Sequence, residues 1–129
     1  MPRDLKRSDR NELVIIDDIS GGQITLYYRQ PTAEEYIGYN SAIAKRDGDK
    51  ITFDEPLRMK YSLDVLTGVA DGCLSVDGKP ISTDPASEHF CADWKPLIQD
   101  TAADWLMILA AVVFDGTRRE RPAVPFGKS

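Results

Sequence analysis

The side chains best able to do chemistry in this chain are Cys73, His89, Cys91 and Asp93. Thiolate, imidazole and carboxylate are zinc ligands, and a Cys–His pair is the minimal nucleophile with its base. Their spacing argues against both uses. Structural zinc ligands come in pairs at C-x(2–4)-C spacing, whereas only "HFC" at 89–91 is close and Cys73 stands alone. Residues two apart also fall on different faces of a helix. The default for such cysteines is to act as small, buried, apolar residues. Glu34 and Glu35 in "RQPTAEEY" form a second candidate, a carboxylate pair for acid–base catalysis. Asp17-Asp18 is a third, a cation site at a strand end, for which a plain solvated strand end is the favoured reading. Gly21-Gly22 lacks the Lys and Ser/Thr of a phosphate loop. Asp71, Asp77 and Asp84 lack the alternating ligands of a calcium loop. No catalytic residue, metal or cofactor is therefore expected.

The elements that would carry these residues follow from local signals. "ELVIIDDIS" and "QITLYYRQ" read as two strands joined at Ser20-Gly21-Gly22, with Ile24, Leu26 and Tyr28 sharing one face. Pro31 cannot donate to a sheet ladder and ends the second strand. Thr32 and Glu35 then have capping-box spacing, with Glu34 and Glu35 at the favourable end of the helix dipole. This removes the glutamates from the catalytic candidates. The helix is predicted to reach Lys45 and stop at Asp47-Gly48. Asp54 caps a second helix with Pro56 in its first turn, running to Gly68 or to Asp71-Gly72. Met59, Leu63, Leu66 and Ala70 form its apolar face, widened by Leu57, Tyr61 and Val65. Asp77-Gly78 marks a turn between two short extended pieces. Asp84-Pro85 opens a short helix to about Ala92, and Pro96 starts a last helix reaching Phe114. Trp105 and Met107 are assigned to the core, and Trp94, between Asp93 and Lys95, to a partly exposed position.

The expected fold is α+β and mostly helical, an N-terminal β-hairpin packed on three to four helices. A chain of 129 residues with 42% hydrophobic content supports one domain with a real core. That domain is placed at 11–115, between flexible basic tails at 1–10 and 116–129. The longest apolar run, 105–114, falls short of the about 18 residues a membrane helix needs. The N-terminus has no apolar signal stretch. A soluble cytoplasmic protein is the expectation. Residues 1–10 carry four basic and two acidic side chains, and residues 116–129 four and one. With −5 overall, residues 11–115 hold a net −10. An acidic body argues against a nucleic-acid face, which needs clustered Lys and Arg. Two cysteines in a reducing compartment make no disulfide framework.

Three stretches, in order over about residues 24–115, carry a resemblance. "RQPTAEEYIGYNSA" is similar to an R-x-P-T-x-x-E strand-to-helix joint. "LTGVADG" is similar to an aliphatic helix end followed by acidic-Gly. "DGKPISTDPASEHF" is similar to a DG-x-P link into a short helix. Together they resemble the tail assembly chaperones of long-tailed bacteriophages and prophages, small proteins encoded just before the tape measure protein. The chain departs from that pattern at Val69, where a tryptophan is common, and at Asp84-Pro85-Ala86. The resemblance implies a mostly helical, non-catalytic protein that binds the tape measure protein, or other tail proteins, and keeps its long helices soluble. No nucleic-acid or membrane partner is expected, and self-association is left open. The wide face of the second helix and the exposed indole supply the partner-binding candidates: Met59, Leu63, Leu66 and Trp94. The alternative is a virion structural or adaptor protein of the same gene region, a tail completion protein or head–tail connector. A third reading is a small enzyme or metal protein using Cys73, His89 and Cys91.

Overall fold

The computed structural model describes residues 5–6 and 9–115. The first strands are β1 (Asn11–Ile16) and β2 (Gln23–Tyr28), followed by α1 (Ala33–Ala42). A second hairpin, β3 (Ala44–Asp47) and β4 (Lys50–Phe53), leads to α2 (Glu55–Val65) and β5 (Leu66–Val69). Two short strands, β6 (Ser75–Val76) and β7 (Lys79–Pro80), precede α3 (Trp94–Thr101) and α4 (Ala103–Ala110). A π-helical turn, Ala111–Asp115, extends α4. The expected tail at 116–129 lies outside the described residues, as do residues 1–4 and 7–8 of the expected tail at 1–10.

β1 and β2 pair antiparallel, with Leu13 opposite Leu26 and Ile15 opposite Ile24. Period-two alternation turns Ile15, Ile24 and Leu26 into the core and leaves Val14 and Ile16 outside. At the turn, the Asp17 amide donates to the Gly22 carbonyl and the Gly21 amide to the Asp17 carbonyl. Gly21 supplies the positive φ, 78°, that this turn requires. β2 is the central strand, because β5 pairs with its other edge in the order β1-β2-β5.

β5 corrects the sequence reading, which continued α2 through this segment. α2 stops at Val65, and Leu66 takes an extended conformation. Thr67, Gly68 and Val69 are poor helix formers, while the open edge of β2 offers hydrogen bonds. Gly68 has a packing reason: a Cβ there would meet Thr83 Oγ1 at 2.9 Å. That hydroxyl accepts from the Val69 amide (3.0 Å) and donates to its carbonyl (3.3 Å), tying the later loop to β5.

α1 also ends earlier than predicted, at Ala42, and Asp47-Gly48 is a hairpin turn instead of a helix stop. Asp47 pairs with Lys50, so the loop is Gly48-Asp49, with glycine at positive φ in its first central position, as a type II′ turn demands. All of residues 44–53 are exposed. Asp77-Gly78 does form the expected turn, both residues at positive φ, between β6 and β7. The helix expected over 84–92 is absent. There Asp84 Oδ1 accepts from the Ala86 amide and Ser87 Oγ from the His89 amide, so side chains take the N–H groups a helix would use.

The single last helix expected from Pro96 to Phe114 is two helices, bent by 92°. The break is Ala102, at φ −135° and ψ 41°. Beyond it α4 runs through the core: Leu106, Leu109, Ala110 and Phe114 are fully buried. A straight continuation of the polar α3 would have carried this apolar run into water, at a cost of about 1.5–3 kcal/mol per large side chain. α4 packs on α2, where the buried Ser62 hydroxyl donates to the Leu106 carbonyl at 2.7 Å. Phe114 stacks on Tyr39 and meets Tyr36 and Tyr61 edge-on, joining the C-terminal turn to α1 and α2. The class is α+β, with helix at 39% and strand at 28% in three small sheets, which corrects the expectation of a mostly helical fold.

Candidate functional site

"RQPTAEEY" resolves as a structural joint. Thr32 Oγ1 accepts from the Glu35 amide at 3.1 Å, and Glu35 Oε1 accepts from the Thr32 amide at 2.8 Å, closing the capping box. Arg29, whose part in this joint sequence reading missed, forks onto Glu35 with contacts of 2.7 and 2.9 Å and also donates to the Asp64 carbonyl. The guanidinium hydrogen bonds, outweighing partial burial, bring the Glu35 carboxyl down to about 2. Every oxygen of Glu35 is thus committed to holding β2, α1 and α2 together. Glu34 is exposed.

The reactive candidates do not converge. Cys73 and Cys91 are free and half-buried, and His89 is exposed beside Glu88 at 3.5 Å. Among the described residues, no three His, Cys, Asp or Glu side chains are placed to hold a metal ion.

An open groove of about 400 Å³ lies at the α3–α4 elbow. Three stretches meet there. The turn of the first hairpin contributes Asp17, Ile19 and Ile24; the segment around β6 contributes Leu74, Val76 and Ile81; the elbow contributes its indoles and Leu97. The volume lies within the range of ligand pockets, and the walls are chiefly apolar, as such pockets are. Ile19 (87% exposed) and Val76 stand at its edge as uncovered apolar side chains. The bend at Ala102 creates the concavity, because two helices meeting at 92° leave an inner corner.

Asp17 gives this groove its polar anchor. Sequence reading favoured a solvated strand end here, and the structure corrects that for Asp17, which is 8% exposed. Its Oδ1 accepts from the Trp105 indole Nε1 at 3.2 Å and its Oδ2 from the Ser20 amide at 2.9 Å. Hydrogen bonds from Ser20 and then Trp105 hold its carboxyl below the usual range, against the opposing effect of burial.

Of the four partner-binding candidates, only Trp94 lines the groove. It is 9% exposed, which corrects the expectation of a partly exposed indole. Its flanking charges mislead because Lys95 folds over the indole, its ammonium 5.6 Å from the ring centroid and donating to the Leu63 carbonyl at the end of α2 (2.8 Å). Burial lowers the pKa of that ammonium. Met59 and Leu63 lie half-buried on α2 against the core, and Leu66 is a core residue of β5. The structure does not bring these three together with Trp94 in one groove. Trp105 is buried as expected, and Met107 is half-buried. No single described helix is long and apolar enough to cross a membrane. Comparison with known protein families, curated proteins and solved structures finds no match for the chain.

Proposed function

We propose that the protein is a tail assembly chaperone of a phage or prophage, a non-catalytic protein that binds the tape measure protein in the host cytoplasm during tail morphogenesis. The observation that carries this reading is the open apolar groove of about 400 Å³ at the α3–α4 elbow. A chaperone for long amphipathic helices has to cover apolar stripes for a time, and a groove with apolar walls is the surface that does so. The ordered landmarks of the sequence, from "RQPTAEEY" to "DGKPISTDPASEHF", lend it independent support. The fold carries more sheet than the resemblance implies, so the reading rests on groove and landmarks and not on overall architecture.

The test is co-expression with the long helical protein that this reading expects to be encoded directly downstream. The soluble yield of that protein is expected to rise, the two are expected to co-purify, and the chain is expected to be missing from finished particles. An unchanged yield with no co-purification would sink the proposal. Stoichiometric presence in purified particles would instead make it a structural or adaptor component.

A further inference from the structure

We infer that the groove at the α3–α4 elbow selects a cationic amphipathic helix, whose apolar side chains fill its walls while a lysine or arginine beside them pairs with Asp17 and Asp104. This rests on the chaperone reading and specifies the chemistry of the segment held.

The argument is one of charge complementarity. Among the described residues lining the groove, the charged side chains are Asp17 and Asp104, and both are acidic. Asp17 is more than nine-tenths buried, and no Lys, Arg or His among the described residues lies within 4.0 Å of its carboxylate. Its charge is met by neutral donors, the Ser20 side chain and amide, the Trp105 indole and the Ile19 amide. An ammonium or guanidinium entering the groove would supply the counter-charge that these neutral donors do not.

The opposite case is as informative. A purely apolar helix seated here would cover Asp17 without supplying a counter-charge, and an acidic one would add repulsion. Both leave the carboxylate without a counter-charge, the less favourable arrangement for a buried ion. Asp17 therefore acts against wrong occupants as well as for the right one, and specificity commonly needs both. Asp104, exposed in the first turn of α4, extends the acidic edge of the same corner to a place where a long cationic side chain reaches it.

The experiment uses the full chain and two tryptophan-free designed helical peptides of about five turns. Both carry leucines at i, i+3, i+4 and i+7; one has lysines flanking that stripe, the other glutamates. Binding is read from the fluorescence of Trp94 and Trp105, which both line the groove, and from calorimetry. The lysine peptide is expected to bind about tenfold more tightly than its glutamate twin. Asp104→Lys should cut that preference to about threefold or less, and Asp17→Asn should abolish it. Asp104 is exposed, so its variant keeps the test readable if Asp17→Asn loosens the turn. Equal affinity for the two peptides overturns the inference, and so does no binding of either. A lysine preference untouched by both substitutions also overturns it, because that is attraction to an acidic chain in general. Co-expression with the downstream helical protein separates the two readings. If wild type and both variants solubilise it equally, the groove inference fails and the chaperone reading stands. If wild type does not solubilise it, the chaperone reading fails, and the peptide preference alone decides the chemistry of the groove.

Discussion

Replacing Phe114 with alanine would remove the ring on which three tyrosines converge. Phe114 is fully buried, stacked on Tyr39 with centroids 4.5 Å apart, and met edge-on by Tyr36 at 5.8 Å and Tyr61 at 5.7 Å. Phe→Ala in a packed core costs about 3–5 kcal/mol through lost transfer energy and the cavity left behind. Ring pairs add about 0.5–1.5 kcal/mol each, although pairs sharing one ring do not sum independently. A loss of about 4 kcal/mol is expected, a large part of the about 5–15 kcal/mol by which domains are stable. Phe114→Leu keeps most of the apolar volume and loses the ring geometry, so about 1.5 kcal/mol is expected. Urea unfolding followed by fluorescence of Trp94 and Trp105, both outside the tyrosine cluster, measures the two losses. The midpoint should fall with the slope unchanged. A loss below about 1 kcal/mol for alanine would refute the reasoning, because it would mean that residues 111–115 are not clamped on α1 and α2.

Three further outcomes are expected. Thr32→Ala should cost about 1 kcal/mol through the lost cap, with binding of the proposed tape measure partner unchanged; urea unfolding and a pull-down check it together. Glu35 has a folded pKa of about 2 against an ordinary 4.5, so its contribution is present above the unfolded value and is lost as pH falls from about 4.5 through about 2. The pair is partly exposed, so screening holds that contribution to about 1 kcal/mol, and Glu35→Gln should flatten this limb of the stability–pH curve. Gly68→Ala puts a Cβ at 2.9 Å from Thr83 Oγ1 and should cost about 1–3 kcal/mol. In a double-mutant cycle with Thr83→Ala the double variant should lose less than the sum of the two single losses, since the second change removes the clash.

Much of the chain's punctuation is legible in its sequence. The Thr32–Glu35 box, the Asp54 cap, the glycine turn at 20–22 and the Asp77-Gly78 turn each depend on groups a few residues apart, so their chemistry is readable in place. The apolar face of β2 and the burial of the last helix follow from pattern alone. Other features are invisible to local reading. Leu66–Val69 continues a plausible helical stripe, and only the waiting edge of β2, some forty residues earlier, makes it a strand. The charges beside Trp94 suggest exposure until Lys95 finds the end of α2. Asp47-Gly48 is ambiguous between a helix stop and a hairpin, and the pairing of Asp47 with Lys50 decides it. The groove is the extreme case, assembled from a hairpin turn, the segment around β6 and a helix elbow that are distant in the chain. Local chemistry therefore determined where elements begin and turn. Which apolar surfaces were covered, and which corner stayed open around Asp17, was decided by contacts between distant segments, because burial and hydrogen-bond completion are properties of the packed whole.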